Sequence, residues 1–198
     1  MMHNMQLSDY LAKNPKKYLI FDFDETIARM EIDWSDWHEG MANIYRQFDQ
    51  KQVEDYSSDE HRRYNNYAKK FGQKLVVLTK FFNAEYEARM TRELSPYPEL
   101  VEFIKDATGY QLSIYSSNSK STVLKGLKAL GIAEKFEQIV SRDEVTFIKP
   151  DPEGFALIYD LKVPKSEYLM IGNSFTDQGM AEAAGIDFYL VEYFRPIF

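Results

Sequence analysis

Residues 18–30 read YLIFDFDETIARM: four large apolar or aromatic side chains, Tyr18, Leu19, Ile20 and Phe21, run directly into Asp22, Asp24 and Glu25. So short an unbroken apolar run predicts a strand covered on both faces, as in a parallel sheet. Its end presents two carboxylates two residues apart, on the same side of an extended chain. Held about 4 Å apart, such a pair repels by roughly 4 kcal/mol at an effective dielectric of about 20. A bound Mg²⁺, which takes oxygen ligands at about 2.1 Å, removes that conflict. Taken alone, Asp-x-Asp is equally compatible with a strand that simply ends in a turn.

Working outward, the C-terminal half alternates strand and helix signals. YQLSIYSS (110–117) predicts a strand, and KSTVLKGLKALG (120–131) a helix closed by Gly131. FEQIVS (136–141) is a further short strand, and DPEGFALIYDL (151–161) a helix opened by Pro152. YLMIG (168–172), TDQGMAEAAG (176–185) and DFYLVEYF (187–194) then read as strand, helix and strand. This order predicts an α/β fold, a mostly parallel sheet with helices on both faces.

Residues 30–95 read differently. Trp37, Met41, Ile44, Tyr45 and Phe48 repeat at helical spacing. Ser57 with Glu60 forms a capping-box signature before a second helix that carries Tyr64, Tyr67, Ala68 and Phe71 and stops at Gly72. KLVVLTKFFNAEYEARMTREL (74–94) reads as a third, longer helix. The expected organisation is a three-layer, Rossmann-like α/β core built from 1–29 and 96–198, with a small all-α cap, 30–95, inserted after the first strand.

Composition narrows the function. The 198 residues are 44% hydrophobic, enough for a real core, and 24 basic against 31 acidic side chains leave a net charge of −7. That balance argues against a nucleic-acid or anionic-membrane surface. No apolar run approaches the roughly 20 residues that span a bilayer. The N-terminal stretch lacks the apolar segment of a secretory signal, so a cytoplasmic location is expected. Cysteine is absent, and His3, His38 and His61 make no zinc motif.

In open parallel sheets, ligands bind beyond the carboxyl ends of the strands. Asp22 and Asp24, the segment YSSNSK with Ser116 and Ser117, and GNSFTD with Asn173, Ser174 and Asp177 all fall at such ends. Hydroxyls and amides leading into a helix can bind an anion, although a plain helix cap is the commoner role. FIKPDPEGF adds Lys149 ahead of two prolines that fix where its ammonium points.

Asp-x-Asp-x-Thr after an apolar strand, Ser after a second strand, Lys-Pro-x-Pro, and Gly-x-Ser-x-x-Asp before AEAAGI, in that order, resemble the haloacid dehalogenase-like superfamily of hydrolases. An insertion between the first and second motifs is similar to the helical cap of its phosphoglycolate phosphatase and β-phosphoglucomutase branch. The resemblance implies that Asp22 is a nucleophile that takes up the phosphoryl group. Asp24 would be the acid that protonates the leaving oxygen and then the base that activates water. It further implies that Thr26 orders the loop, that Ser116 and the Ser117 N–H bind phosphate, and that Lys149 neutralises charge. Mg²⁺ would sit on Asp22, the Asp24 carbonyl and the fourth motif, where Asn173 stands in place of the aspartate many relatives carry and Asp177 is the second acid.

The resemblance thus implies a Mg²⁺-dependent phosphatase for a small phosphorylated metabolite. A phosphosugar mutase using the same intermediate, or a catalytically weak binding member of the fold, are the alternatives. Arg29, Trp34, Trp37, His38 and Arg46 are the candidates in the cap to face the substrate, although cap packing or a solvated surface would explain each. The oligomeric state is not legible in the sequence.

Overall fold

The computed structural model describes residues 6–49 and 59–192. β1 (Tyr18–Phe21) is the central strand of a five-stranded parallel sheet. On one side lie β4 (Gln111–Tyr115) and then β5 (Phe136–Val140); on the other lie β6 (Tyr168–Gly172) and β7 (Asp187–Leu190). Helices α5 (Pro98–Asp106) and α6 (Lys120–Ala129) lead into β4 and β5, while α7 (Glu153–Ile158) and α8 (Phe175–Ala184) lead into β6 and β7. The strand order therefore reverses at β1, and the carboxyl end of β1 lies at the switch point where such sheets bind ligands.

The apolar run of β1 is covered on both faces. Leu19, Ile20 and Phe21 are at most 1% exposed. Leu19 and Phe21 pack with Leu112, Ile114, Leu169 and Ile171 of the neighbouring strands, over Ile104 and Val123 of the helices. Ile20 points the other way, into a cluster with Tyr168, Met170, Phe155 and Met180. Each such side chain contributes about 1.5–3 kcal/mol when fully buried, which fixes the register and with it the position of Asp22.

The second cluster runs on into the inserted helices α2 (Trp37–Phe48), α3 (Glu60–Phe71) and α4 (Gln73–Met90). Tyr45 packs on Tyr67 with ring centroids 4.3 Å apart, and Phe48 on Phe71 at 5.4 Å, so this aromatic density is packing between helices. Helix α3 is capped by Asp59, whose carboxylate accepts the Arg62 N–H at 2.9 Å; the Ser57 cap expected from the sequence lies outside the described residues.

The third inserted helix ends at Met90, not within TREL. Residues Thr91–Pro96 form β3, antiparallel to β2 (Ala28–Ile32), with Ala28 opposite Pro96 and Ile32 opposite Thr91. The β2 backbone needs hydrogen-bond partners, and pairing with the returning chain overrides the helix propensity of Arg92, Glu93 and Leu94. An unforeseen helix, α1 (Leu7–Lys13), lays Leu7 and Leu11 on the sheet before β1. Helix α7 ends at Ile158, short of the expected Leu161, because the Asp160 N–H is taken by the Tyr168 hydroxyl and the Asp160 carboxylate accepts the Lys162 N–H in a local turn. The last strand is described to Leu190, and residues 193 and 194 of its expected extent lie outside the described residues. No helix among the described residues is long and apolar enough to cross a membrane.

Candidate active site

The Asp22 N–H donates to the Ile171 carbonyl at 2.9 Å, continuing the pairing of β1 with β6 one residue past the strand. The chain then turns sharply: the Thr26 and Ile27 N–H groups both donate to the Phe23 carbonyl. Glu25 takes up the turn with φ +56°, a left-handed conformation that costs a non-glycine residue about 1 kcal/mol or more. Its carboxylate accepts the Tyr97 hydroxyl at 2.7 Å, which holds the turn. Asp22 and Asp24, on the near side of this turn, line the same cavity.

Lys149 joins three motifs. Its ammonium, 2% exposed, donates to Asp22 Oδ1 at 2.7 Å and to Asp177 Oδ1 at 2.6 Å. Burial alone would lower its pKa, but Asp177 and Asp22 hold it above the ordinary lysine value. Burial pushes the Asp22 carboxyl upward, an effect that Lys149 opposes and Asp177 reinforces. One ammonium between two buried carboxylates leaves the cluster short of positive charge.

Asp177 faces the lysine and the end of α8, not the open side of the site. Its second oxygen accepts the Ser174 N–H at 3.0 Å and the Ser174 hydroxyl at 2.6 Å, completing a capping box. This geometry needs Gly172 at the end of β6, because a Cβ there would stand 2.5 Å from the Asp177 carboxyl. The Thr26 hydroxyl lies 3.3 Å from Asp22 Oδ2 and 3.4 Å from Asn173 Oδ1, so it links the first and fourth motifs.

Asp24 has a different environment. Burial raises its pKa to about 7; the Met30 N–H, which donates to Oδ1 at 2.9 Å, opposes the rise and the Asp22 charge adds to it. Both carboxyls of Asp-x-Asp are raised by burial, Asp22 to about 6 and Asp24 to about 7; what separates them is their partners, a buried ammonium for Asp22 and a backbone N–H for Asp24.

Beyond β4, the fully buried Ser116 donates its hydroxyl to Asn118 Oδ1 at 3.1 Å. The next hydroxyl, that of Ser117, is buried with no hydrogen-bond partner among the described residues. This loop is tied down from the cap: Glu87, 1% exposed in the last turn of α4, accepts the Ser119 N–H at 2.9 Å and the Ser119 hydroxyl at 2.6 Å.

These groups open on a cavity of about 390 Å³. From the core it is lined by Asp22, Asp24, Ser117, Lys149 and Asn173, and from the insertion by Trp34, Trp37 and His38. Thr26, Ser116 and Asp177 are buried behind that lining. Arg29 and Arg46 do not reach it. Arg29 pairs with Glu25 and Glu31, and Arg46 with Glu39 at 2.9 Å and Asn43 at 2.7 Å, so local partners hold both outside.

Lining residues that the sequence does not mark as site candidates include His61, Asn83 and Arg142. Burial, together with the Arg142 and Lys149 charges, lowers the His61 pKa to about 4, so its imidazole is neutral at pH 7. Arg142 lies two residues past the end of β5, where the rule for strand ends could have found it. His61, Tyr64 and Asn83 sit on cap helices whose packing onto the core no local pattern encodes.

Comparison with known proteins adds the following. A family model described as haloacid dehalogenase-like hydrolase matches residues 19–191. Pyrophosphatase PpaX of Bacillus velezensis is 33% identical over 112 residues, 56% of this chain and 51% of its own. Phosphoglycolate phosphatase of Mesorhizobium japonicum is 32% identical over 119 residues, 59% of this chain and 52% of its own. The chain spans about half the length of these relatives. Among solved structures, a Bacteroides fragilis protein described as a haloacid dehalogenase-like hydrolase superposes with a TM-score of 0.57. It is 26% identical, over 87% of this chain and 86% of that one. The L-2-haloacid dehalogenase of Xanthobacter autotrophicus shares the fold at 17% identity and a TM-score of 0.57, over 89% and 77%.

Proposed function

The chain belongs to the haloacid dehalogenase-like hydrolases, and we propose that it is a Mg²⁺-dependent phosphatase that hydrolyses a small phosphorylated metabolite through a phosphorylated Asp22. The observation that carries this reading is the division of labour at the end of β1. Asp22 is paired with a buried ammonium, while Asp24, with a pKa raised to about 7, holds a proton two residues away. The names of the two relatives, a pyrophosphatase and a phosphatase, agree with it.

The residues fit Mg²⁺. The candidate donors are hard oxygens: the Asp22 carboxylate and the Asn173 amide oxygen, each within 3.4 Å of the Thr26 hydroxyl, with the main-chain carbonyl of Asp24 that the family resemblance implies. Among the described residues, no three His, Cys, Asp or Glu side chains gather into a metal cage. Mg²⁺ suits so sparse a set because it usually keeps several of its waters. When bound, it would neutralise charge on the transferring phosphoryl group.

In the proposed reaction, an Asp22 carboxylate oxygen attacks phosphorus while the bond to the leaving oxygen breaks. Asp24 gives its proton to that oxygen, and the alcohol departs. A water then attacks the phosphoryl group on Asp22 and passes a proton to Asp24, which releases phosphate and restores both carboxyls. Lys149 holds Asp22 in position and offsets negative charge throughout.

The test is phosphate release from an aryl phosphate with Mg²⁺, repeated with Asp22→Asn. The wild-type protein should turn over, the variant should not, and rapid quenching should trap phosphate on the wild-type chain. Release that survives Asp22→Asn would remove Asp22 from the mechanism.

A further inference from the structure

Arg142 is the cation of the cavity that the proposed chemistry leaves without a task. Its backbone N–H donates to the Asn118 carbonyl at 3.1 Å and its Nε to the Ser117 carbonyl at 2.6 Å. Those two bonds fix the base of the guanidinium against the loop after β4. Arg29, Arg46, Arg62, Arg63 and Arg92 each pair with a carboxylate; Arg142, half-buried in the cavity wall, has no carboxylate within 4.0 Å among the described residues.

Four acids line the cavity: Asp22 holds Lys149, Asp24 accepts the Met30 N–H, Glu25 accepts the Tyr97 hydroxyl, and Glu60 faces Arg63 and His38 through one oxygen. An unpaired guanidinium in a partly desolvated wall is unfavourable, and an arriving anion relieves that cost. Its planar fork matches carboxylate or phosphate oxygens. Beside it, the Ser117 hydroxyl is buried without a hydrogen-bond partner among the described residues. His61 lines the same cavity and is neutral at pH 7, its pKa lowered to about 4 chiefly by burial.

We infer that Arg142, with the Ser117 hydroxyl, forms a subsite for a second anionic group, a carboxylate or phosphate carried on the leaving part of the substrate. The inference rests on the reading of this cavity as a phosphatase site. Asp22 and Lys149 would handle the phosphoryl group that is transferred; Arg142 would select what it is attached to. Trp34, Trp37 and Tyr64 give the same cavity apolar surface, and about 390 Å³ suits a short organic spacer.

The test compares matched probes on the full chain with Mg²⁺: 3-phosphoglycerate against glycerol 3-phosphate, and propane-1,3-diol bisphosphate against propyl phosphate. Within one pair or both, kcat/KM should favour the doubly anionic member by about tenfold or more, the scale of one charge-assisted contact. The favoured pair identifies carboxylate or phosphate as the recognised group. Arg142→Met should bring that ratio to within about threefold of one, and Arg142→Lys should keep part of it. Calorimetric binding of the same probes to Asp22→Asn supplies a readout that does not need turnover. If every probe resists hydrolysis, the phosphatase reading fails, while the binding ratio still decides the subsite. No preference in wild type for either doubly anionic probe, or a preference that Arg142→Met leaves intact, overturns the inference.

Discussion

Glu87 and Ser119 join the inserted helices to the loop beyond β4 through a buried, two-point contact: the carboxylate accepts both the Ser119 N–H, at 2.9 Å, and its hydroxyl, at 2.6 Å. The acceptor belongs to the last turn of α4, and the donor is the N-cap position of α6. A carboxylate from one element thus caps a helix in another, and the charge lies where the helix N-terminus favours it. Movement of the cap is thereby coupled to the segment expected to bind phosphate.

Glu87→Gln keeps the size of the side chain and one acceptor but loses the charge. It should destabilise the fold by about 1–3 kcal/mol, the range for hydrogen bonds to charged groups, measured as a shift in the urea midpoint. Activity should fall with it, because the loop is no longer pinned. Wild-type stability in the variant would show that the contact contributes nothing.

Asp22→Asn should lower phosphate release by at least about 10³-fold, the scale seen when a nucleophile is removed. The fold should survive, because Lys149 retains Asp177 at 2.6 Å. Circular dichroism and thermal melting check the second half of that expectation, and a collapsed variant would contradict it.

Asp24 predicts a pH dependence with a definite sign. Burial raises its carboxyl from an ordinary 3.8 to about 7, so between those values the folded state binds more protons than the unfolded one. Stability of the metal-free protein should therefore fall as pH rises from about 4 to about 7. Asp24→Asn should remove this contribution and be more stable at pH 8 by roughly 2–4 kcal/mol, while losing activity. In the wild type, kcat/KM should decline above about pH 7 as the proton donor is lost. Equal urea midpoints for wild type and variant at pH 8 would refute the assignment.

Asn173→Asp should tighten Mg²⁺ binding by roughly tenfold, because a formal charge replaces an amide oxygen next to Asp22. Titration of the metal-free protein measures this directly. Unchanged affinity would place Asn173 outside the ion's surroundings.

The sheet and the residues at its strand ends were legible because both follow from local rules. An apolar run such as Leu19–Phe21 declares a buried strand, and Gly185 at φ +72° closes α8 as the residue type predicts. Asp22, Asp24, Lys149 and Asn173, which line one cavity, stand out in the sequence because each occupies a strand end or a motif anchored to one. Arg29 and Arg46 misled because an arginine in sequence carries no sign of the acid it will pair with. The β2–β3 ribbon was missed because its strands are separated by the whole insertion, and Thr91–Leu94 contains residues equally at home in a helix. Glu87 and Arg142 gain their importance only from neighbours distant in sequence, Ser119 and Ser117.

The ribbon has a consequence for ancestry as much as for folding. Because Ala28 stands opposite Pro96, the chain leaves the sheet and comes back at nearly the same place, so whatever is spliced between those feet adds little strain to the body below. Exchange of the roof would still have to keep the buried link from Glu87 to Ser119 and the apolar cluster that runs from the sheet into the inserted helices, so the two parts are bound to change together there.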